Sequence, residues 1–154
     1  MQCDIRSVMD NYWHLVIAHP PCTYLTNSGE RWLKGNPERA VLRQESVDFV
    51  RWIAGLPFAK IVVENPIGHL STALRKPAQI IQPWQFGHPE TKATCLWLKG
   101  LPNLVPTNDV SAHMKTLSTA ERNRVHYMPP GPDRWKERSR TYQGVADAMA
   151  AQWG

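Results

Sequence analysis

Two residues able to do covalent chemistry stand in matched settings: Cys22, after His19-Pro20-Pro21, and Glu64, before Asn65-Pro66. A thiolate is a strong nucleophile, and a suitably placed carboxyl group can hold or share a proton near neutral pH. Together they suit addition to a pyrimidine ring. The thiolate would add at carbon 6 while the acid donates a proton or hydrogen bond at ring nitrogen 3. Carbon 5 then becomes nucleophilic enough to take a methyl group. Asn65 would orient the acid. Taken singly, Cys22 reads equally well as a small buried hydrophobe, and Glu64-Asn65-Pro66 as a capped turn. The pair makes the site.

The elements that must position them follow from the flanking pattern. Leu15-Val16-Ile17-Ala18 is an apolar run ended by His19-Pro20-Pro21, so a strand stops there and hands Cys22 to a loop. Asn36 and Pro37 read as the cap and first turn of a helix. Val41, Leu42, Val47, Val50 and Ile53 recur at mostly helical spacing until Gly55-Leu56-Pro57. Ile61-Val62-Val63 is a second strand, stopped by Glu64-Asn65-Pro66. Strand, helix and strand with short links make a βαβ unit with parallel strands and a right-handed crossover. Ligands in such sheets sit beyond the carboxyl ends of the strands, which places Cys22 and Glu64 on one rim.

Beyond residue 77 the pattern is weaker. Residues 78–106 read as sheet edge and loop, with Ala93-Thr94-Cys95-Leu96-Trp97-Leu98 a β-prone run between Gly87-His88-Pro89 and Gly100-Leu101-Pro102. Residues 107–133 carry no strong periodicity apart from a short helical chance at 118–122. Gly144 to Trp153 reads as a closing helix with Val145, Met149 and Trp153 on one face. There is no internal repeat and no composition break, so one domain over residues 1–154 is expected.

Composition narrows the classes. The 154 residues are 42% hydrophobic, enough for a packed core. No apolar run approaches the roughly 18 residues of a membrane span, and the polar opening Met1-Gln2-Cys3-Asp4 is unlike a secretory signal. A cytoplasmic protein is expected. The three cysteines (Cys3, Cys22, Cys95) contain no C-x-x-C pair, and the six histidines no i, i+4 pair, so neither a disulfide framework nor a metal site is expected. Lys+Arg 18 against Asp+Glu 13 gives +5, which favours an anionic partner such as a nucleotide or DNA, or simply a solvated basic surface. The stretch Arg134-Trp135-Lys136-Glu137-Arg138-Ser139-Arg140 concentrates positive charge beside a tryptophan.

Other side chains are candidates for ligand contact. Thr23, Tyr24, Thr26, Asn27 and Ser28, ahead of Gly29, cluster hydroxyls and an amide that suit a phosphate, ribose or base edge, or only a solvated turn. Lys92 and Thr94 would face the same rim or merely decorate a strand. His88, between Gly87 and Pro89, reads as a pocket wall or a structural histidine. Arg138, Arg140 and Tyr142 read as an anion clamp or a solvated basic face.

These residues carry a resemblance. His19-Pro20-Pro21-Cys22 resembles the Pro-Cys nucleophile loop of cytosine-C5 DNA methyltransferases, and Glu64-Asn65-Pro66 resembles their Glu-Asn-Val acid motif, with one helix between. Residues 85–97 are similar to the family's later strand, which supports the target cytosine. The whole chain, from about residue 4 on, looks like methylase-like proteins of phages and prophages. These share the Pro-Pro-Cys-Thr-Tyr-Leu and Pro-Trp-Gln-Phe-Gly-His-Pro-Glu-Thr-Lys segments. The resemblance implies an α/β fold: a reduced Rossmann-like, methyltransferase-like three-layer sandwich with a mostly parallel sheet. It implies Cys22, Glu64 and Asn65 as catalytic residues. The implied ligand-binding set is His19, Pro21, Thr23, Tyr24, Asn27, Ser28, Pro66, Phe86, His88, Lys92, Thr94, Arg138, Arg140 and Tyr142.

The departures from that family are as informative. Its first two motifs, which hold S-adenosylmethionine, have no counterpart, and Cys3-Asp4-Ile5 resembles only the third, adenine-side motif. Thr23 stands where the family usually has Gln, and Pro66 where it usually has Val. The expectation is therefore a protein without a cofactor that binds a nucleotide or nucleobase in the former active site. In a phage setting it could sequester a defence signal in the host cytoplasm. The alternatives are a cytosine-C5 methyltransferase or base-modifying enzyme completed by a partner chain that supplies S-adenosylmethionine binding, and a basic nucleic-acid-binding accessory protein. Without the family's neighbouring strand, residues 15–18 would leave an apolar sheet edge, so a homo-oligomer is expected, in which another chain or the N-terminal segment covers that edge.

Overall fold

The Val16–Ala18 run forms strand β1, and its buried Val16 and Ala18 alternate with exposed Ile17, as a half-covered strand requires. The computed structural model describes residues 3–154. Helix α1, Pro37–Gly55, starts where Pro37 occupies the first turn and the Asn36 side chain accepts from Arg39 N at 2.9 Å. It buries Val47, Val50 and Ile53, each such side chain contributing about 1.5–3 kcal/mol. Val41 and Leu42, expected on the same stripe, are exposed. Strand β2, Ile61–Pro66, pairs parallel with β1 in the register Val16↔Ile61, Ile17↔Val62, Ala18↔Val63. The βαβ expectation holds, with one correction. β2 does not stop at Val63 but carries Glu64 and Asn65 within the strand and ends on Pro66, which lacks the N–H for a further ladder bond.

Helix α2 (Leu70–Ala73) follows, then strands β3 (Gln79–Ile81) and β4 (Thr94–Lys99). The four strands make one mixed sheet in the order β1-β2-β4-β3. The expected mostly parallel sheet is not what forms: β1–β2 is the one parallel pair, and β3–β4 is antiparallel with Ile80 opposite Cys95. A parallel return needs a crossover of about a dozen or more residues, usually helical. The link between β3 and β4, residues 82–93, holds the short turn Pro83–Gln85 and no crossover helix, and β4 runs back against β3.

The chain divides into two compact units, residues 3–76 with Trp97–Pro102, and Pro77–Leu96 with Asn103–Gly154. The second half of β4 belongs to the first unit and its first half to the second. The first unit is built on Val16, Leu25, Val50, Ile53, Val62, Val63, Leu70 and Trp97. The second is built on Ile81, Phe86, Leu96, Leu104, Val125, Met149 and Trp153. In the second unit, α3 (Ser111–Met114), α4 (Thr119–Arg122), α5 (Arg124–Tyr127) and α6 (Arg134–Ser139) are short. Only α4 has a sequence signature, a capping box in which Ser118 and Glu121 satisfy each other's backbone N–H groups. The closing helix α7, Gln143–Trp153, buries Val145, Met149 and Trp153 as the pattern predicts. Among the described residues no helix is long and apolar enough to cross a membrane.

Candidate functional site

The parallel register that pairs Ala18 with Val63 brings the next residues, His19 and Glu64, side by side at the carboxyl ends of β1 and β2. His19 Nδ1 lies 2.7 Å from Glu64 Oε2. The Glu64 side chain is only 15% exposed and that of His19 41% exposed, so the histidine forms the outer half of the pair. With a proton on Nδ1 donated to the carboxylate, Nε2 is the nitrogen left for a ligand or solvent.

Asn65 points to the opposite face of β2, as strand alternation dictates, and is 1% exposed. Its Nδ2 donates to Pro20 O at 3.0 Å, while its Oδ1 is buried without a hydrogen-bond partner among the described residues. Rotating the amide would set two oxygens against each other, so this orientation is the favourable one. Asn65 was expected to orient the acid. It holds the backbone of the Pro20-Pro21-Cys22 segment instead, and His19 is the residue that orients Glu64.

The half-buried Cys22 opens a turn in which its carbonyl accepts from Leu25 N at 3.0 Å and Thr26 N at 3.2 Å. Buried Leu25 anchors the loop, and its carbonyl accepts from His69 N at 2.8 Å. Thr26 bridges Gly68, where a Cβ would stand 2.0 Å from Leu25 O. Only glycine permits this approach of the loop after β2 to the loop after β1.

Helix α1 clamps the same loop from its first turns. Arg39 Nη2 donates to Thr23 O at 3.2 Å and its guanidinium lies 5.0 Å from the Tyr24 ring centroid. Arg43 Nε donates to Tyr24 O at 3.2 Å, and its Nη2 pairs with Glu30. That hydrogen bond holds the Glu30 carboxyl below the usual carboxylate range. Thr26 Oγ1 and Ser28 Oγ are 3.1 Å apart, and Asn27 begins the short turn Asn27–Trp32 with its side chain exposed. Pro21 is exposed and Pro66 half-buried beside these groups in sequence. Arg39 and Arg43 were not foreseen. Their i, i+4 spacing at the start of a helix that follows the loop was the available signal.

The remaining expected residues lie in the second unit, where most are tied into a network of their own. Phe86 is buried core. Gly144 N donates to His88 Nε2 at 2.9 Å, so that nitrogen carries no proton. Tyr142 donates to Glu90 Oε2 at 2.8 Å, and Arg124 reaches Glu90 Oε1 from both Nε and Nη2 at 3.0 and 2.9 Å. Burial first, then the bond to Glu90, hold the Tyr142 phenol well above its usual range. Lys92 Nζ donates to Arg140 O at 2.9 Å and lies 5.7 Å from the Tyr142 ring centroid. Thr94 Oγ1 donates to Lys92 O at 3.1 Å. Arg140 pairs with Glu137 at 3.1 Å, and Arg138 is half-buried on the same helix. Tyr142 therefore spends its hydroxyl on an acid of the fold, which is unlike an anion clamp.

A cavity of about 200 Å³ among Ala54, Ile61, Val63, Leu74 and Trp97 lies toward the amino end of β2. It has neither thiol nor acid in its wall, so the chemistry points to the other end of the strand. No protein-family model, no curated protein and no solved structure matches this chain.

Proposed function

We propose that the carboxyl ends of β1 and β2 form a nucleobase- or nucleotide-binding site of methyltransferase-like ancestry, in which Glu64 reads the ring edge and the loop from Cys22 to Ser28 forms the wall. The His19–Glu64 bond of 2.7 Å carries this assignment. It presents a shielded carboxylate oxygen beside the imidazole Nε2, two acceptors that suit the exocyclic amino group on a base edge such as that of cytosine. Asn65, Gly68 and Arg39 support it by fixing the wall at three separate points. No residue of this chain is assigned to S-adenosylmethionine. In the phage-like setting that the sequence resembles, the use is to hold a signal nucleotide in the host cytoplasm.

Calorimetry with cytidine and cytidine 5′-monophosphate tests this directly. Glu64→Gln removes a hydrogen bond to a charged group, worth about 1.5–3 kcal/mol, so affinity falls about tenfold or more. Unchanged binding in that variant defeats the assignment. Cys22→Ser separates holding from chemistry: a binder keeps its affinity within about threefold, an effect under about 0.7 kcal/mol, and a base-modifying enzyme loses turnover. The fixed position of the Cys22 turn at the same rim keeps that enzyme reading in view.

A second surface favours nucleic acid. Residues 122–140 hold six Lys/Arg against Asp133 and Glu137, with Trp135 72% and Tyr127 65% exposed. Basic charge beside exposed rings suits stacking on single strands. A steep fall of oligonucleotide affinity with salt, flattened in Trp135→Ala with Lys136→Gln, supports it. A salt-independent affinity counts against it. We also assign the exposed edge of β1, with Ile17 outward, to contact with a second copy of this chain.

A further inference from the structure

We infer that Arg39, with the hydroxyls of Thr26 and Ser28, forms a phosphate subsite beside the base site, so that the ligand is a phosphorylated nucleotide and not a free base or nucleoside. This rests on the proposed base-binding rim and names the substrate class it takes. The contrast between two arginines one turn apart on α1 points to it. Arg43 is neutralised by Glu30, whereas none of the ion pairs among the described residues involves Arg39.

Arg39 is nonetheless held in a defined place. Its guanidinium packs on the Tyr24 ring at 5.0 Å and spends one N–H on Thr23 O at 3.2 Å, and the side chain belongs to a half-buried residue. A guanidinium has five N–H donors, and a carbonyl offsets no charge. The cation is thus pre-positioned and left uncompensated, on the loop that carries Cys22. Buried Gly29 lets the hydroxyls close in: the place its Cβ would take is 3.1 Å from Arg39 Nη2 and 3.7 Å from Thr26 Oγ1. Thr26 Oγ1 in turn lies 3.1 Å from Ser28 Oγ, with Ser28 exposed. A fork of N–H donors with two adjacent hydroxyls is the donor set that a phosphomonoester requires. In the second unit Arg124 and Arg140, unlike Arg39, are paired with acids.

The test compares cytidine, cytidine 5′-monophosphate and inorganic phosphate by calorimetry on the full chain. In the wild type the monophosphate binds about tenfold or more tighter than cytidine, as charge-assisted bonds require, and inorganic phosphate competes only with that increment. Arg39→Gln abolishes the increment, and its cytidine affinity reports whether the loop that Arg39 also holds through Thr23 O is intact. If that variant loses cytidine as well, Thr26→Val decides: a reduced increment supports the subsite and an unchanged one overturns it. Equal affinity for the two ligands in the wild type, or an increment that survives Arg39→Gln, overturns the subsite while the base site stands. Failure of both ligands to bind, or binding indifferent to Glu64→Gln, brings down the base site itself.

Discussion

A buried amide with one satisfied end is an unusual thing for a strand to keep, and Asn65 keeps it where the end of β2 meets the segment that carries Cys22. Its Nδ2 bond to Pro20 O links the end of β2 to the segment carrying Cys22. Asn65→Ala should cost about 1–3 kcal/mol in urea unfolding. Asn65→Asp should cost about 3 kcal/mol or more, because it buries a charge against a carbonyl. A mild effect of the aspartate would mean that the bond from Asn65 to Pro20 O does not hold the segment. Tyr142 offers a test in pH. Its phenol is held above the ordinary value of about 10, so it ionises first in the unfolded chain. Its contribution is complete below about pH 10 and is lost as pH rises toward the folded value. Stability should therefore decline above about pH 10, and less so in Tyr142→Phe. A decline identical in both proteins would refute the Tyr142–Glu90 linkage. The positions of Cys22 and Glu64 at the carboxyl ends of β1 and β2 are legible from their proline-bounded settings. The partner of Glu64 is not, because His19 meets it only through a register that no local pattern specifies.

Among the elements, those with a local physical signature were the readable ones. Asn36-Pro37 and Gly55-Leu56-Pro57 bracket α1, and the three buried residues of its inner face recur at helical spacing. Val41 and Leu42 broke the rule because the first half of α1 packs its arginines, not its aliphatics, on the Cys22 loop. The sheet's directions were legible only for β1 and β2, where a full helix fills the crossover. For β3 and β4 the connection reads as loop and leaves direction open. The rim also depends on a close approach that only backbone geometry reveals. In Gly68→Ala the new carbon would fall 2.0 Å from Leu25 O, so the loops must part. We expect a loss of about 2 kcal/mol or more, together with weaker ligand binding. Wild-type stability in this variant would show that the two loops are not locked.

At the scale of the whole molecule, charge and edges set what the chain can meet. Residues 122–140 account for most of the net +5, through short helices whose sequence shows little beyond basic residues and turns. That is why α3, α5 and α6 were not legible: four to six residues are too few to display a 3.6-residue period. β1 is the edge of the sheet, only three residues long, with Ile17 facing out. Pairing through it predicts a dimer in light scattering that Ile17→Lys disperses. A wild-type monomer up to high concentration would remove that contact from the account.

The most direct test of the base site is a crystal structure with cytidine 5′-monophosphate bound. The account predicts the base edge on Glu64, within hydrogen-bond distance of the His19 pair, and the ring against the Cys22 turn. A nucleotide bound elsewhere, with the His19–Glu64 pair untouched, would contradict it.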